Sequence, residues 1–222
     1  MRKIIVTLSA LLYTAIVFSQ LMTNREIVRK AMFERPDDLW PRGEGHIVLA
    51  IPGSLEHEKA YIEPGGNFSP AFGTFGITFW LTDKHEYKTW SVDMMPYHTL
   101  QQNFIYGKEP CLHTRDKDYE LIHTVHSSND YTIQVKTLSE TGRRISMVLR
   151  SVGPAGGLVR KLAWDGKNLI VNDTWTISIS PKPDYVRMGD ESQAGWKENT
   201  TPADNIEVLN GWGYARIGLP MI

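Results

Sequence analysis

One tryptophan lies where an aromatic ring could serve a ligand instead of a core. Residues 75–83 (FGITFWLTD) alternate between apolar and polar side chains, and Trp80 stands on the polar side. Residues 87–94 alternate as well, and pairing the two apolar faces brings Ser91 and Asp93 onto the face of Trp80. An exposed indole can stack on a sugar ring while hydroxyl and carboxylate groups bond to the sugar hydroxyls. These three residues predict a carbohydrate-binding surface; the alternative is that a second sheet or a neighbouring domain covers Trp80.

Two further tryptophans could bind a ligand from the turn-rich end of the chain. Trp196 and Trp212 lie close in sequence to Tyr214, where loops could present their rings to a sugar. The alternative is that these rings pack inward and anchor a long loop. Trp196 and Trp212 are therefore candidate carbohydrate-binding residues, with the packing role left open.

The remaining reactive side chains form no catalytic or metal-binding pattern. His123 and His126 would point to opposite faces of a continuous strand, which spoils them as a pair of metal ligands. A glycoside hydrolase needs two carboxylates at a defined separation across a cleft. The candidate carboxylates are Asp93, Asp118, Glu120 and Asp173, and nothing in the sequence indicates that any two of them form such a pair. The sequence predicts no metal and no cofactor, and it leaves catalytic residues unassigned.

Length and charge narrow the class of protein. The chain has 222 residues, 41% of them hydrophobic, which suits one large globular domain. Its 24 basic and 25 acidic side chains leave a net charge of -1, without the positive field that nucleic-acid binding usually requires. Cys111 is the only cysteine, which excludes an intramolecular disulfide. We expect a globular protein held by its core, with no nucleic-acid partner.

The N-terminus predicts export. Arg2 and Lys3 precede an apolar run over residues 4–18, and the chain then offers a cleavage site after Ser19. The run is short for a membrane span, so residues 1–19 are interpreted as a signal peptide; a retained signal anchor is the alternative. The mature chain would begin at Gln20, with no membrane span, in the periplasm, at the cell surface or outside the cell.

The rest of the pattern predicts an all-β protein. Residues 20–40 contain one short helix, at 23–34, followed by a lead-in to the first strand. From 41 to 183 the apolar period is two, which predicts a mostly antiparallel β-sandwich. The predicted strands include 75–83, 87–94, 118–126, 131–138, 143–150, 158–164, 169–171 and 175–179. Matching the apolar faces of the first two places Leu81 opposite Trp90.

The C-terminal segment, residues 184–222, is polar and rich in turns. Its only possible strands are short ones at 206–209 and 214–217. We expect this irregular segment either to return to the edge of the sandwich or to lead to a domain that the chain lacks.

Three stretches resemble a known group of proteins: RPDDLWP at 35–41, EPGGNFSP at 63–70 and WDGK at 164–167. In this order they are similar to the N-terminal β-sandwich region of large secreted Bacteroides-type proteins that continue into a six-hairpin (α/α) barrel, as in glycogen-debranching and related glycosidases. The resemblance covers residues 35–222 and matches no catalytic motif. It implies that the sandwich packs against a barrel and that the catalytic acids belong mainly to that barrel, so that the chain would be a fragment of such an enzyme.

These observations predict a secreted accessory domain of a carbohydrate-active protein, non-catalytic alone. It would bind a polysaccharide or oligosaccharide, or dock on an (α/α) barrel domain. The alternative is a free-standing secreted glycoside hydrolase or lyase with its cleft in the sandwich. A purely structural docking domain is a third possibility.

Overall fold

The computed structural model describes residues 30, 33–34, 46–83, 89–92, 100–138, 142–151, 153–193, 196 and 202–220. The predicted signal peptide, most of the predicted helix and Asp93 lie outside these residues. Of the helix, Lys30, Phe33 and Glu34 are described, and their backbone is helical. The chain divides into two compact units, Met1–Asp38 and Leu39–Ile222, and the strands below belong to the second. Among the described residues, no helix has the length and apolarity needed to cross a membrane.

The described part of the second unit is built of short and medium strands with one 3-10 turn, Glu56–Glu58. The strands are β1 Ile47–Leu49, β2 Ala60–Ile62, β3 Phe68–Ser69, β4 Gly76–Thr82, β5 Thr89–Ser91, β6 Gln101–Ile105, β7 Cys111–Arg115, β8 Tyr119–Ser127, β9 Asp130–Thr137, β10 Arg144–Arg150, β11 Lys161–Trp164, β12 Asn168–Val171, β13 Trp175–Ser178, β14 Tyr185–Asp190, β15 Asn205–Glu207 and β16 Gly213–Gly218.

These strands form one large and two small sheets. The large sheet has the order β1-β2-β3-β4-β10-β16-β14, and β5 also pairs with β4. The small sheets have the orders β13-β12-β11-β15 and β6-β7-β8-β9. The paired strands run antiparallel throughout. The prediction of an all-β, mostly antiparallel fold is confirmed.

A shared core joins the three sheets. The inner face of the large sheet contributes side chains such as Phe79 and Met147, which cluster with Leu162 and Leu169 of one small sheet and Leu121 of the other. Burying each of these side chains stabilises the fold by about 1.5–3 kcal/mol. Successive residues of a strand point to opposite faces, so the large sheet has a second, outer face. The outer face carries Thr78, Trp80, Ser146, Val148, Tyr185, Arg187, Tyr214 and Arg216.

The predicted hairpin register is confirmed. Leu81 is the partner of Trp90, and Trp80 is the partner of Ser91. The strong alternation of β4 fixes this register because a slip by one residue would move every apolar side chain to the wrong face. The sequence does not predict β6, whose residues Gln101–Ile105 are mostly polar and exposed. It also misses β2 and β3, which are too short to show a period of two.

The segment after residue 183 belongs to the sandwich. It forms β14, β15 and β16, and β16 lies inside the large sheet between β10 and β14 instead of at its edge. The glycines of β16 hide its alternation in the sequence, yet one of them has a clear structural role. A Cβ on Gly218 would lie 2.2 Å from Cε1 of Tyr185, because the tyrosine ring of the neighbouring strand lies across the glycine.

A buried histidine of β8 lies in the core, against β3 of the large sheet. His123 is almost fully buried, and its ring stacks on Phe68 with 5.6 Å between centroids. Burial lowers the pKa of His123 to about 4, an effect that the backbone of Gly66 partly offsets. Gly66 has φ +98°, and a Cβ there would lie 2.3 Å from Cδ1 of Leu121. The residue must therefore be glycine for the loop to pass this close to β8.

This histidine predicts a loss of stability in mild acid. In the unfolded chain the imidazole of His123 binds a proton below its pKa of about 6.5. In the folded chain it binds this proton only at about pH 4 and below. Stability that is present above pH 6.5 is therefore lost progressively as the pH falls towards 4. Between pH 7 and 4.5, His123→Phe should lose about 2 kcal/mol less unfolding free energy than the wild type. Urea denaturation at both pH values measures this, with the exposed His57→Phe as control; identical losses in all three proteins would contradict it.

Candidate functional site

The structure buries the tryptophan that the sequence predicts to be exposed. Trp80 is 1% exposed and clusters on the outer face with Val148, Trp196 and Tyr214. The centroids of the Trp80 and Trp196 rings are 5.5 Å apart, and those of Trp196 and Tyr214 are 4.8 Å apart. The prediction of an exposed Trp80 is therefore wrong, because period-two alternation gives the face of a residue but not what covers that face.

The other predicted binding residues are also enclosed where they are described. Ser91 shares the face of Trp80, as predicted, but it is buried with its hydroxyl 3.3 Å from that of Thr78. Trp196 is 4% and Trp212 is 8% exposed, and the Trp212 amide donates to Oδ1 of Asn210. Asp93 lies outside the described residues. The structure therefore brings Trp80, Ser91 and Trp196 to one region of the outer face, and Trp80 and Trp196 pack against each other there; Trp212 is buried but is not part of that cluster.

A buried ion pair holds the covering segment in place. Arg150 and Glu191 have fully buried side chains, and Nε and Nη2 of the arginine both donate to Oε1 of the glutamate, the first over 3.1 Å. The Arg150 guanidinium lies 5.0 Å from the centroid of the Trp196 ring. Tyr214 donates its hydroxyl to the carbonyl of Trp196 over 2.7 Å, and burial raises the pKa of Tyr214 to about 12. These contacts fix Trp196 over the outer face.

Among the described residues, accessible concave surface lies along one edge of the sandwich. There β14, an edge strand of the large sheet, runs beside β15, an edge strand of a small sheet. Two clefts lie along β14, of about 470 Å³ and 220 Å³, and we call them together the edge groove. The larger cleft is lined by Met188, Gly189, Asp190, Gln193, Trp196, Ile206, Glu207, Val208, Leu209, Asn210 and Tyr214. The smaller is lined by Trp164, Lys182, Pro183, Asp184, Tyr185, Val186, Pro202, Ala203 and Asp204.

The larger cleft presents polar groups that are fixed by hydrogen bonds within the protein. Oδ1 of Asp190 accepts from the amide and hydroxyl of Ser192, over 2.8 and 2.6 Å, and Oδ2 accepts from Nδ2 of Asn210 over 3.0 Å. Gln193 and Glu207 are exposed at the same cleft. Such groups can bond to the hydroxyls of a ligand in the cleft. The sequence shows a cluster of amide and carboxyl residues around Trp196, and this cluster is a recognisable signal for a polar site. The sequence does not show that the cluster lies beside β15.

The smaller cleft offers accessible aromatic rings. Trp164 and Tyr185 are partly exposed, and the charged groups of Lys182, Asp184 and Asp204 line the same space. The ring of Trp164 packs partly against the core. Its remaining surface faces the groove because β11 ends there. This cleft therefore adds a second set of aromatic and polar groups beside the same strand.

The carboxylates considered for hydrolysis do not meet. Among the described residues, three of them have separate side-chain partners: Asp118 with Arg143 at 2.6 Å, Glu120 with His113 at 2.7 Å, and Asp173 with Lys161 at 2.8 Å. The fourth, Asp93, is not among those residues. Within the same described part of the chain, no group of three or more His, Cys, Asp or Glu side chains could hold a metal ion.

Comparison with known proteins gives no relative. The chain matches no protein-family model, no curated protein and no solved structure. The resemblance to the sandwich region of barrel-containing glycosidases therefore stays a prediction, and the arguments about function depend on the geometry of this chain.

The buried position of Trp80 predicts a stability role. Trp80→Ala should lower the unfolding free energy by about 3–5 kcal/mol, because it leaves a cavity between Val148 and Trp196. Trp80→Phe, which keeps an aromatic ring, should cost clearly less. Urea unfolding followed by circular dichroism measures both, and an unchanged midpoint for Trp80→Ala would contradict the buried position.

The ion pair predicts strong coupling between its partners. Arg150→Met alone should lower the unfolding free energy by about 3–5 kcal/mol, because it leaves the buried Glu191 carboxylate without its arginine partner. The double variant Arg150→Met/Glu191→Leu should recover at least half of that loss, because it removes both charges. A double-mutant cycle in urea tests this, and additive losses from the two single variants would contradict it.

Proposed function

We propose that Leu39–Ile222 is a carbohydrate-binding β-sandwich of an exported protein, and that a polysaccharide or oligosaccharide segment lies in the edge groove. In this proposal the domain is an accessory unit and performs no chemistry alone. The observation that carries the proposal is the presence of two clefts along one strand: the larger is lined by amide and carboxyl groups, and the smaller combines partly exposed aromatic rings with carboxyl and ammonium groups.

The size of the groove supports an extended ligand. The larger cleft, at about 470 Å³, lies within the range of small-molecule sites. The six residues of β14 span about 20 Å, and the two clefts lie towards its opposite ends. A chain of sugar units could therefore contact both clefts, whereas a single sugar could contact one.

The polar groups suit sugar hydroxyls. Asp190 and Asn210 are held by hydrogen bonds within the protein, so they need little ordering when a ligand binds. Gln193 and Glu207 can supply a donor and acceptors at the open side. The aromatic surface needed for stacking comes from the exposed parts of Trp164 and Tyr185.

Docking on another domain is a second candidate function. Leu209 lines the larger cleft and is 87% exposed, which suits an apolar contact with a protein partner better than a sugar. Edge strands such as β14 and β15 are also surfaces that proteins commonly cover. An (α/α) barrel domain is the partner that the sequence resemblance implies.

Binding measurements on groove variants test the proposal. The purified chain is titrated by calorimetry with a panel of neutral and acidic polysaccharides, and reducing-sugar release is followed in parallel. We expect binding without product release. Gln193→Ala/Glu207→Ala should weaken binding roughly 10- to 100-fold, because one neutral and one charged hydrogen-bonding group are lost.

A matched control distinguishes the groove from the rest of the surface. Gln101→Ala/Glu109→Ala removes the same two exposed side-chain types at β6 and the turn that follows it, and it should leave affinity unchanged. Equal loss in both double variants would contradict the groove as the site. Product release would favour the hydrolase or lyase alternative. The docking function would be favoured if the chain bound no glycan but bound a partner domain, and if Leu209→Ser abolished the binding of that domain.

A further inference from the structure

A row of three aromatic rings lies at the edge of the large sheet that is farthest from the edge groove. Tyr61 of β2 is in the middle of the row: the centroid of its ring is 6.1 Å from that of His46 and 6.4 Å from that of Phe72. The strand order of the sheet begins with β1 and ends with β14, with five strands between them. We call these three residues the aromatic platform.

The aromatic platform is accessible because its rings do not belong to the core. Both neighbours of Tyr61 in β2 are buried in the shared core, so Tyr61 points to the outer face, where it is partly exposed. Its register partner in β1, Val48, lies on the same face and is 47% exposed. His46 is exposed, and Phe72 is exposed to 70%. These rings therefore offer surface to a ligand, unlike the buried indoles of Trp80 and Trp196.

Hydrogen bonds fix two of the three rings in place. The hydroxyl of Tyr61 donates to Oε1 of Glu56 over 2.5 Å. The turn that presents Phe72 is closed by the amide of Thr74, which donates to the carbonyl of Ala71 over 3.2 Å. Rings that are held in this way lose little conformational freedom when a ligand stacks on them, which favours binding.

The size and the charge of this surface favour a sugar over a protein or a membrane. From the area of a whole aromatic side chain, the exposed parts of the platform and Val48 amount to on the order of 300 Å². A stable protein interface takes about 800 Å² from each partner. Glu56 balances the charge of Lys59 beside the platform, whereas anionic membranes attract clusters of unbalanced basic residues. A sugar ring needs only a small aromatic surface with polar groups at its rim.

We propose that the aromatic platform is a second carbohydrate-binding site, where the C–H face of a sugar ring stacks on Tyr61 and Phe72. The carboxylate of Glu56 and the ammonium group of Lys59 bond to the hydroxyls of that sugar. The inference rests on the proposed function for the class of ligand, but the platform shares no residue with the groove. A long polymer that contacts both sites binds more tightly than a short oligosaccharide that occupies one.

Calorimetry on the full chain, with hexasaccharides of β-linked glucose, xylose and mannose, tests the platform. The groove variant Gln193→Ala/Glu207→Ala is the background, because the affinity that remains in it belongs to the platform. Adding Phe72→Ala should lower that affinity roughly 5- to 20-fold, since part of the stacking surface is lost. Phe72→Trp should keep the affinity. The control Tyr106→Ala, which removes a ring that is 85% exposed just after β6, should leave it unchanged.

Phe72→Ala in the otherwise wild-type chain separates the two proposals. If Phe72→Ala binds like the wild type and the groove variant binds nothing, the platform is overturned and the groove stands. If Phe72→Ala loses binding and the groove variant keeps it, the platform is supported and the groove is contradicted. Absence of binding to every glycan overturns both. A dimer in sedimentation that Phe72→Ala converts to a monomer would also overturn the platform, because this surface would then be a contact between two copies of the chain.

Discussion

The ion pair between Arg150 and Glu191 is the constraint on which the outer side of the sandwich depends. Moving two charges out of water costs several kcal/mol each, and only close, complementary bonding offsets this cost. Arg150 achieves it by bonding to one carboxylate oxygen and by lying against the Trp196 ring. The pair therefore ties the chain beyond β14 to the centre of the large sheet, and it holds Trp196 over Trp80.

This covering divides the outer face into two parts with different properties. The part beneath Trp196 contains Trp80, Val148 and Tyr214, whose side chains are buried. The part beside it carries Arg187 and Arg216, which remain partly exposed. Arg216 joins the two parts, because its charged group lies over the ring of Trp80. The packing of the buried indoles therefore also determines the orientation of the Arg216 guanidinium, which is partly exposed to solvent.

The sequence predicts the fold more completely than the site, because the strands follow from local patterns whereas the site depends on contacts between residues distant in the chain. The alternation of β4 is local, and it suffices to predict the strand, its apolar face and the pairing of Leu81 with Trp90. The burial of Trp80 depends on Trp196, a residue distant in the chain whose position follows from an ion pair that no local pattern reveals. The position of β16 inside the sheet depends likewise on Gly218 accommodating the Tyr185 ring. The pairing of Arg187 with Arg216 requires that non-local register first.

The candidate site lies at an edge of the large sheet because both faces of that sheet are largely occupied. The inner face of the large sheet is occupied by the shared core, and the indole cluster closes part of its outer face. An edge strand keeps one side of its backbone and every second side chain accessible, and β14 and β15 offer two such strands beside each other. In the proposed function, a ligand that ran along β14 would meet residues at intervals of about 7 Å, first Tyr185, then Arg187, then Gly189 and the larger cleft. An extended, repeating ligand fits this regular spacing better than a compact one, because each successive unit can meet another side chain of the same strand.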